Sequence, residues 1–199
     1  MAEAKDSSTI VPSKSSSVPT LTSQQQQQQQ QRTTHFMAQD IFRILPTLLS
    51  AAAIAVMVTN SQTVFIFSLP LQAHFYYSPS FKFFVAANGV VVAMSFLTLT
   101  LNFLFKHQPS PRYLFFLLFH DITMTMLLIA GCAAATAIGY VGQYGEDHVG
   151  WQPICDHVRK FCTTNLVSLL LSYFSFIAYF GLTIISAYKL CLFSSTTKT

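Results

Sequence analysis

Two residues of opposite charge, Arg43 and Asp121, lie within long apolar stretches of this chain. An ionisable side chain inside a bilayer costs about 2.5–3.5 kcal/mol on insertion scales, and it usually faces a protein partner or a water-filled cavity. A bidentate arginine–carboxylate pair would satisfy both groups and fix which faces of two helices meet. The sequence therefore predicts an intramembrane charge pair between Arg43 and Asp121.

Asp121 is also compatible with a second chemistry, a proton or ion pathway. Such pathways need several polar stations, whereas His120, Thr123 and Thr125 are followed by an apolar half of the segment. His120 lies about 100° around a helix from Asp121 and is not an obvious relay partner. In a third interpretation Arg43 reaches the lipid phosphates, and Asp121 is protonated or hydrated. The charge pair is favoured because a buried aspartate needs a partner.

Two cysteines, Cys155 and Cys162, lie in the polar stretch before the last apolar segment. They are a candidate disulfide if this stretch faces the oxidising side of a membrane. His148, Asp156 and His157 are close by, so a zinc site has to be considered, but their spacing fits no strong zinc signature. No metal site is expected.

Small residues recur every four positions at Gly131, Ala135 and Gly139. This spacing lets helix backbones approach closely, so it predicts helix packing at this stripe. Packing within one bundle is favoured over a contact between two copies. Candidate opposing surfaces are small pairs in the first two apolar segments, namely Ala51 with Ala55 and Gly89 with Ala93.

The composition places the chain among membrane proteins. Of its 199 residues 52% are hydrophobic and 9% are charged, whereas a soluble domain carries about a quarter charged residues. The net charge of +4 is scattered along the chain, so no basic platform for nucleic acid is expected. The sequence shows no nucleophile–base pair, glycine-rich phosphate loop or cluster of metal ligands, so we expect neither an enzyme nor a cofactor.

The elements that position these residues are four apolar segments, near 41–58, 83–105, 113–141 and 166–190. About 20 helical residues cross a ~30 Å hydrocarbon core, and no segment alternates polar with apolar residues as a transmembrane strand would. The sequence therefore predicts an all-α membrane protein with a four-transmembrane-helix bundle over 41–190. A further apolar stretch at 64–69 could lengthen the first helix.

The two ends of the chain are predicted to be cytosolic tails. Residues 1–40 are rich in Ser, Thr and Gln and include an unbroken run of glutamines over 24–31, a composition typical of disorder. A short tail is expected over 191–199. Lysine and arginine mark the cytosolic side. Seven lie in the tails and the second loop (Lys5, Lys14, Arg32, Lys106, Arg112, Lys189, Lys198), against three in the other loops (Lys82, Arg159, Lys160).

Four blocks of residues, taken in order, resemble a known plant family. They are Arg43 followed by VMVTNSQT at 56–63, then YSPSFKFFVAAN at 77–88, then Asp121 followed by AAATAIGY at 133–140, and finally Trp151, Cys155, Phe161 and Cys162. Together they resemble the CASP-like (Casparian strip membrane domain-like) proteins, most closely subfamily 1, which are distantly similar to MARVEL proteins.

The resemblance implies a four-helix plasma-membrane protein with both termini in the cytosol. An arginine of the first helix and an aspartate of the third are hallmark positions of that family, and they match Arg43 and Asp121. Casparian strip members form immobile membrane platforms and recruit enzymes that polymerise lignin in the adjacent wall. This chain lacks their Glu-Ser-Leu-Pro-type stretch in the first outer loop, so only the general scaffold role is carried over.

The expected function is that of a non-enzymatic plasma-membrane scaffold. Its expected partners are the lipid bilayer, further copies or related family members, and wall-side enzymes that modify the cell wall; nucleic acid is not expected. The alternative is a small transporter or channel that uses the intramembrane Asp121.

Overall fold

A computed structural model of the chain describes residues 42–66, 69–105 and 111–196. The predicted tail at 1–40, with its glutamine run, lies outside the described residues. Within the described ranges, four helices are long and apolar enough to cross a membrane, which confirms the predicted four-helix membrane fold. They are α1 (Phe42–Thr59), α2 (Pro79–Phe105), α3 (Pro111–Tyr144) and α4 (Arg159–Thr196).

A β-hairpin follows α1, where the sequence suggested a longer helix. Strands β1 (Ser61–Ile66) and β2 (Leu69–His74) pair antiparallel, with Ser61 opposite His74. Along β1 exposed and half-buried positions alternate from Ser61 to Phe65, which is the period of a strand with one covered face. The predicted extension of α1 through 64–69 is therefore wrong. We call the end of the bundle that carries this hairpin the hairpin end, and the opposite end the Arg43 end.

Helix α4 is longer than its apolar stretch in both directions. It begins at Arg159 rather than near 166, because the side-chain Oε1 of Gln62 accepts a hydrogen bond from the backbone N–H of Phe161 at 2.8 Å. An external acceptor of this kind satisfies one of the donors that a helix leaves open in its first turn. At the other end α4 continues to Thr196, so residues 191–196 of the expected short tail are helical.

Close contact between α2 and α3 uses one end of the small-residue stripe. A Cβ placed on Gly131 would lie 3.1 Å from the Cβ of Ala87, and Ala135 is fully buried. At Gly139 a Cβ would meet nothing within 4 Å. The surface opposite Gly131 is therefore Ala87 and Phe84 of α2, and neither of the small pairs expected from the sequence.

Two apolar clusters fill the bundle along its length. The cluster nearer the hairpin end is made of Ala53, Met57, Phe81, Phe84, Cys132, Ala135, Val158, Phe161 and Leu169. The cluster nearer the Arg43 end is made of Val91, Met124, Leu128, Tyr179 and Leu182. Polar side chains lie beside both clusters in the interior.

Candidate functional site

The inward face of α1 begins with a charge. Arg43, Thr47, Ser50, Ala53 and Met57 are all buried and follow one another at spacings of three and four residues. That spacing places them on one face of a helix. Because Arg43 is on this face, its guanidinium enters the bundle and does not extend outward to the headgroups.

The structure brings Arg43 and Asp121 together. Nη2 of Arg43 donates to Oδ2 of Asp121 at 2.7 Å, and the two side chains are 2% and 0% exposed. The hydroxyl of Ser186 on α4 donates to the same oxygen at 2.9 Å. The pair is thus not bidentate, because Ser186 shares Oδ2 with the guanidinium and the other carboxylate oxygen faces His120.

His120 joins this cluster, contrary to the expectation from the helical wheel. Its Nδ1 lies 3.3 Å from Oδ1 of Asp121, and its Nε2 lies 3.3 Å from the hydroxyl of Thr98 on α2. When the ring is neutral, Nδ1 must carry the hydrogen, because an ionised carboxylate can only accept. Asp121 is therefore surrounded by groups that connect it to all four helices. We call Arg43, His120, Asp121 and Ser186 the charge cluster.

A polar stripe on α4, which the sequence analysis missed, continues from the charge cluster to the hairpin end. Its members are buried and recur at spacings of three, four and seven residues: Asn165, Ser168, Ser172, Ser175, Tyr179 and Ser186. Such a repeat is the heptad seam of a coiled helix pair. The signal was present in the sequence as small polar residues at alternating spacings of three and four. We call this set the α4 seam.

The α4 seam is hydrogen-bonded to α1 and to the residue that follows it. Two hydroxyls of α4 donate to carbonyls of α1, Ser175 Oγ to Pro46 at 2.8 Å and Ser168 Oγ to Ala53 at 2.7 Å. In the opposite direction, Nδ2 of Asn60 donates to Oδ1 of Asn165 on α4 at 2.8 Å. The hydroxyls of Ser50 and Ser175 also pair at 2.8 Å. Serine is small, so α1 and α4 can approach closely enough for a hydroxyl to reach a backbone carbonyl.

The same seam is bonded to α2 and α3. The hydroxyl of Ser172 donates to Oδ1 of Asn88 at 2.9 Å, and it accepts from the thiol of Cys132 at 3.2 Å. The hydroxyl of Tyr179 pairs with that of Ser95. Hydrogen bonds between membrane helices contribute about 0.6 kcal/mol each on average, and up to about 2. Helix α4 is therefore bonded to each of the other three helices.

The interior polar groups are almost all satisfied by the protein itself. In the part of the chain that the structure describes, the buried side-chain N and O atoms without a hydrogen-bond partner are Nε and Nη1 of Arg43 and Oγ of Ser78. No member of the α4 seam is among them. The seam is thus a closed network that joins helices, and its hydroxyls are not left open to a passing ion.

Cys155 and Cys162 form a disulfide at the hairpin end, with their Cα atoms 5.8 Å apart. Cys162 lies in the first turn of α4, and Sγ of Cys155 is 3.8 Å from where a Cβ of Gly142 on α3 would be. The bridge therefore fastens the loop at 145–158 to the ends of both helices. Within the described ranges, no three His, Cys, Asp or Glu residues are grouped closely enough to hold a metal ion.

Exposed aromatic side chains surround this loop and the hairpin. Tyr140 and Tyr144 have ring centroids 4.8 Å apart, and Tyr76 stacks on His74 at 4.9 Å. A hydrogen bond with its neighbour Tyr77 raises the pKa of Tyr76 above the ordinary value of 10.0. The phenol therefore stays neutral over the ordinary pH range. The hairpin end presents uncharged aromatic rings of a kind that suit contact with another molecule or with the membrane interface.

Comparisons with known proteins agree with these features. The sequence profile described as the Casparian strip membrane protein domain matches residues 32–178. CASP-like protein 1F2 of Ricinus communis is 43% identical over 163 residues, which is 81% of this chain and 81% of that protein. CASP-like protein 1F1 of Vitis vinifera is 45% identical over 148 residues, or 74% of this chain and 72% of that protein. No solved structure matches the chain.

A double-mutant cycle tests the charge cluster. We expect Asp121→Leu to lower the free energy of unfolding by about 3–5 kcal/mol, because it leaves the Arg43 guanidinium buried and uncompensated. Arg43→Met combined with Asp121→Leu should cost less than Asp121→Leu alone, since no unpaired charge remains. Unfolding in mixed detergent micelles provides the measurement. Strictly additive losses would show that the two side chains do not interact.

A matched pair of substitutions on α4 tests the seam. Ser175→Leu should destabilise the bundle by about 1–3 kcal/mol, because a larger side chain must fit where Ser175 touches α1. Phe174→Leu is the control, since Phe174 is 60% exposed and surface changes usually stay within about 0.5 kcal/mol. Thermal unfolding in detergent measures both. Equal losses would contradict a tightly packed seam.

Proposed function

Because this chain belongs to the family of the Casparian strip membrane protein domain, we propose that it is a non-enzymatic plasma-membrane scaffold that self-associates into membrane platforms. Its relationship to the 1F proteins agrees with the subfamily expected from the sequence. One observation carries the proposal: the buried polar groups of the α4 seam are consumed in holding four helices together. A protein whose interior is closed in this way acts through its surfaces.

The proposed orientation has both termini in the cytosol and the hairpin end outside the cell. The excess of Lys and Arg at the two tails and the loop near 106–112 supports it. The disulfide between Cys155 and Cys162 supports it independently, because disulfides persist on the oxidising side of a membrane. The aromatic surface of the hairpin end then faces the wall, where enzymes that modify it are the proposed partners.

Self-association is proposed to use the open part of the small-residue stripe. Gly131 is occupied by α2 of the same chain, whereas Gly139 has nothing within 4 Å of a Cβ placed on it. A face of small residues lets a second helix approach closely, and dispersion and weak hydrogen bonds can then hold two copies together. Related family members with a similar face are partners of the same kind.

Transport through the bundle is the second candidate: the α4 seam is closed by its own hydrogen bonds, but it is long enough to cross the membrane. From Asn165 to Ser186 the seam covers roughly 30 Å at 1.5 Å per residue, about the thickness of a hydrocarbon core. The discriminating measurement is flux in reconstituted vesicles. Conductance or proton-driven uptake that disappears in Asp121→Asn would favour transport over a purely structural interior.

The native cysteines make a topology test possible without added tags. Cys191 is free and exposed near the end of α4, whereas Cys155 and Cys162 are joined. We expect a membrane-impermeant maleimide to leave intact protoplasts unlabelled and to label Cys191 once the cells are permeabilised. After impermeant reductant is added outside, intact cells should become labelled at Cys155 and Cys162. Cys191→Ser is the control, and labelling of Cys191 in intact cells would reverse the proposed orientation.

Self-association is tested by mass in native lipid. Extracted from membranes with a copolymer, the protein should have a mass of at least two 22.2 kDa chains, and Gly139→Leu should shift it toward one chain by blocking close approach. Met126→Leu on the exposed surface of α3 is the matched control and should leave the mass unchanged. A measured mass of one chain, obtained at a protein-to-lipid ratio close to that of the membrane and with no cross-linked neighbour, would contradict the scaffold proposal.

A further inference from the structure

The guanidinium of Arg43 has more donors than the charge cluster has acceptors. An arginine presents five N–H groups in a planar fork, and the bond to Asp121 uses Nη2. Nε and Nη1 have no partner in the described part of the chain, although the side chain is 2% exposed. A buried donor left unpaired costs about 1–3 kcal/mol, and more when it is charged. Two such atoms on one buried cation therefore indicate a missing acceptor.

The carboxylate that faces Arg43 is not the missing acceptor. Oδ2 of Asp121 already accepts from Arg43 and Ser186, and Oδ1 faces His120. In a guanidinium the Nε–H and Nη1–H bonds lie in the plane of the group and point in different directions. At least two acceptor atoms are therefore needed, and one carboxylate that is already engaged cannot provide both.

The groups around Arg43 fit a ligand that accepts hydrogen bonds and also donates them. Thr47 gives its hydroxyl hydrogen to the carbonyl of Arg43 at 2.8 Å, and Ser186 gives its hydrogen to Asp121. The hydroxyl oxygen of Thr47 can itself act as an acceptor. Pro46 has no N–H, so the carbonyl of Phe42 also lacks its usual helical donor. Water accepts from a guanidinium and donates to such oxygens, and buried water typically makes about three hydrogen bonds.

The charge of the ligand distinguishes water from phosphate and carboxylate as the source of the acceptor oxygens. Arg43 and Asp121 carry one charge of each sign and cancel each other. A buried phosphate or carboxylate would add an uncompensated negative charge, whose burial costs several kcal/mol. We propose that Arg43 holds at least two ordered water molecules inside the bundle, bound at Nε and Nη1. This inference does not depend on the scaffold proposal.

The proposed hydration is local to the Arg43 end. The α4 seam has no unpaired buried side-chain atom, and the remaining unpaired atom, Oγ of Ser78, belongs to the residue just before α2 at the hairpin end. The unpaired donors are therefore confined to Arg43 and do not recur along the α4 seam. The proposed water completes the coordination of one cation.

Solid-state NMR of the full chain in phosphatidylcholine bilayers tests the proposal. With 15N-arginine labelling the chain gives one Nε signal for each of Arg32, Arg43, Arg112 and Arg159. The Arg43 signal is identified by its loss in Arg43→Lys, and by elimination from Lys variants at the other three positions. The assignment thus survives even if Arg43→Lys does not fold.

We expect the Nε signal of Arg43 to receive magnetisation from water and to show no dephasing by 31P. Arg112 and Arg159, which are exposed, are positive controls for water transfer. Dephasing of the Arg43 signal by 31P would overturn the proposal in favour of a lipid phosphate. Absence of both effects would also overturn it, because the two donors would then be bonded to the protein. Both outcomes leave the mass of the assembled protein, and so the scaffold proposal, unaffected.

Discussion

A carboxylate can remain ionised inside a membrane protein only if donors surround it, and the register of this bundle follows from that requirement. Asp121 obtains its donors from three directions, since Arg43 comes from α1, Ser186 from α4, and His120 extends the contact to Thr98 on α2. A shift of α1 or α4 by one turn, about 5.4 Å, would remove one of these donors, and a shift of α2 would remove the Thr98 partner of His120. The charge cluster thus fixes all four helices at one end of the bundle.

The hairpin end is fixed by a different set of bonds. Nδ2 of Asn60 donates to the carbonyl of Phe161 and to Asn165, and Gln62 accepts from the backbone of Phe161. The disulfide attaches to α4 one residue further on, at Cys162. Between the two ends the α4 seam holds the helices at close distance. The polar groups are therefore spread along the whole helix, where a soluble bundle would have an apolar core.

The membrane spans and the two charges could be predicted because both are local properties of the sequence. Apolar length decides whether a segment inserts, and the cost of an isolated charge points to a partner. The hairpin could not be predicted in this way, since Gln62 and Asn60 meet residues about a hundred positions later. The α4 seam was not predicted, because a hydropathy average combines each serine with its apolar neighbours and so hides a repeat of three and four residues. The small residues around Gly131 indicated that another helix packs closely against α3, but their spacing alone could not show that this helix is α2 and not α1.

The central role of α4 has a consequence for how the protein is made. Helices leave the ribosome in chain order, so α1, α2 and α3 enter the bilayer before the helix that bonds to all of them. Until α4 arrives, Asn88 and Asn60 lack their bonds to Ser172 and Asn165, and Asp121 lacks the one to Ser186. The first three helices therefore have to be shielded by the insertion machinery or held by the contacts that do not involve α4, namely the Arg43–Asp121 bond and the packing of α2 on α3 at Gly131. Only when the last helix is complete can the polar groups of the bundle interior be hydrogen-bonded by the protein itself within the lipid.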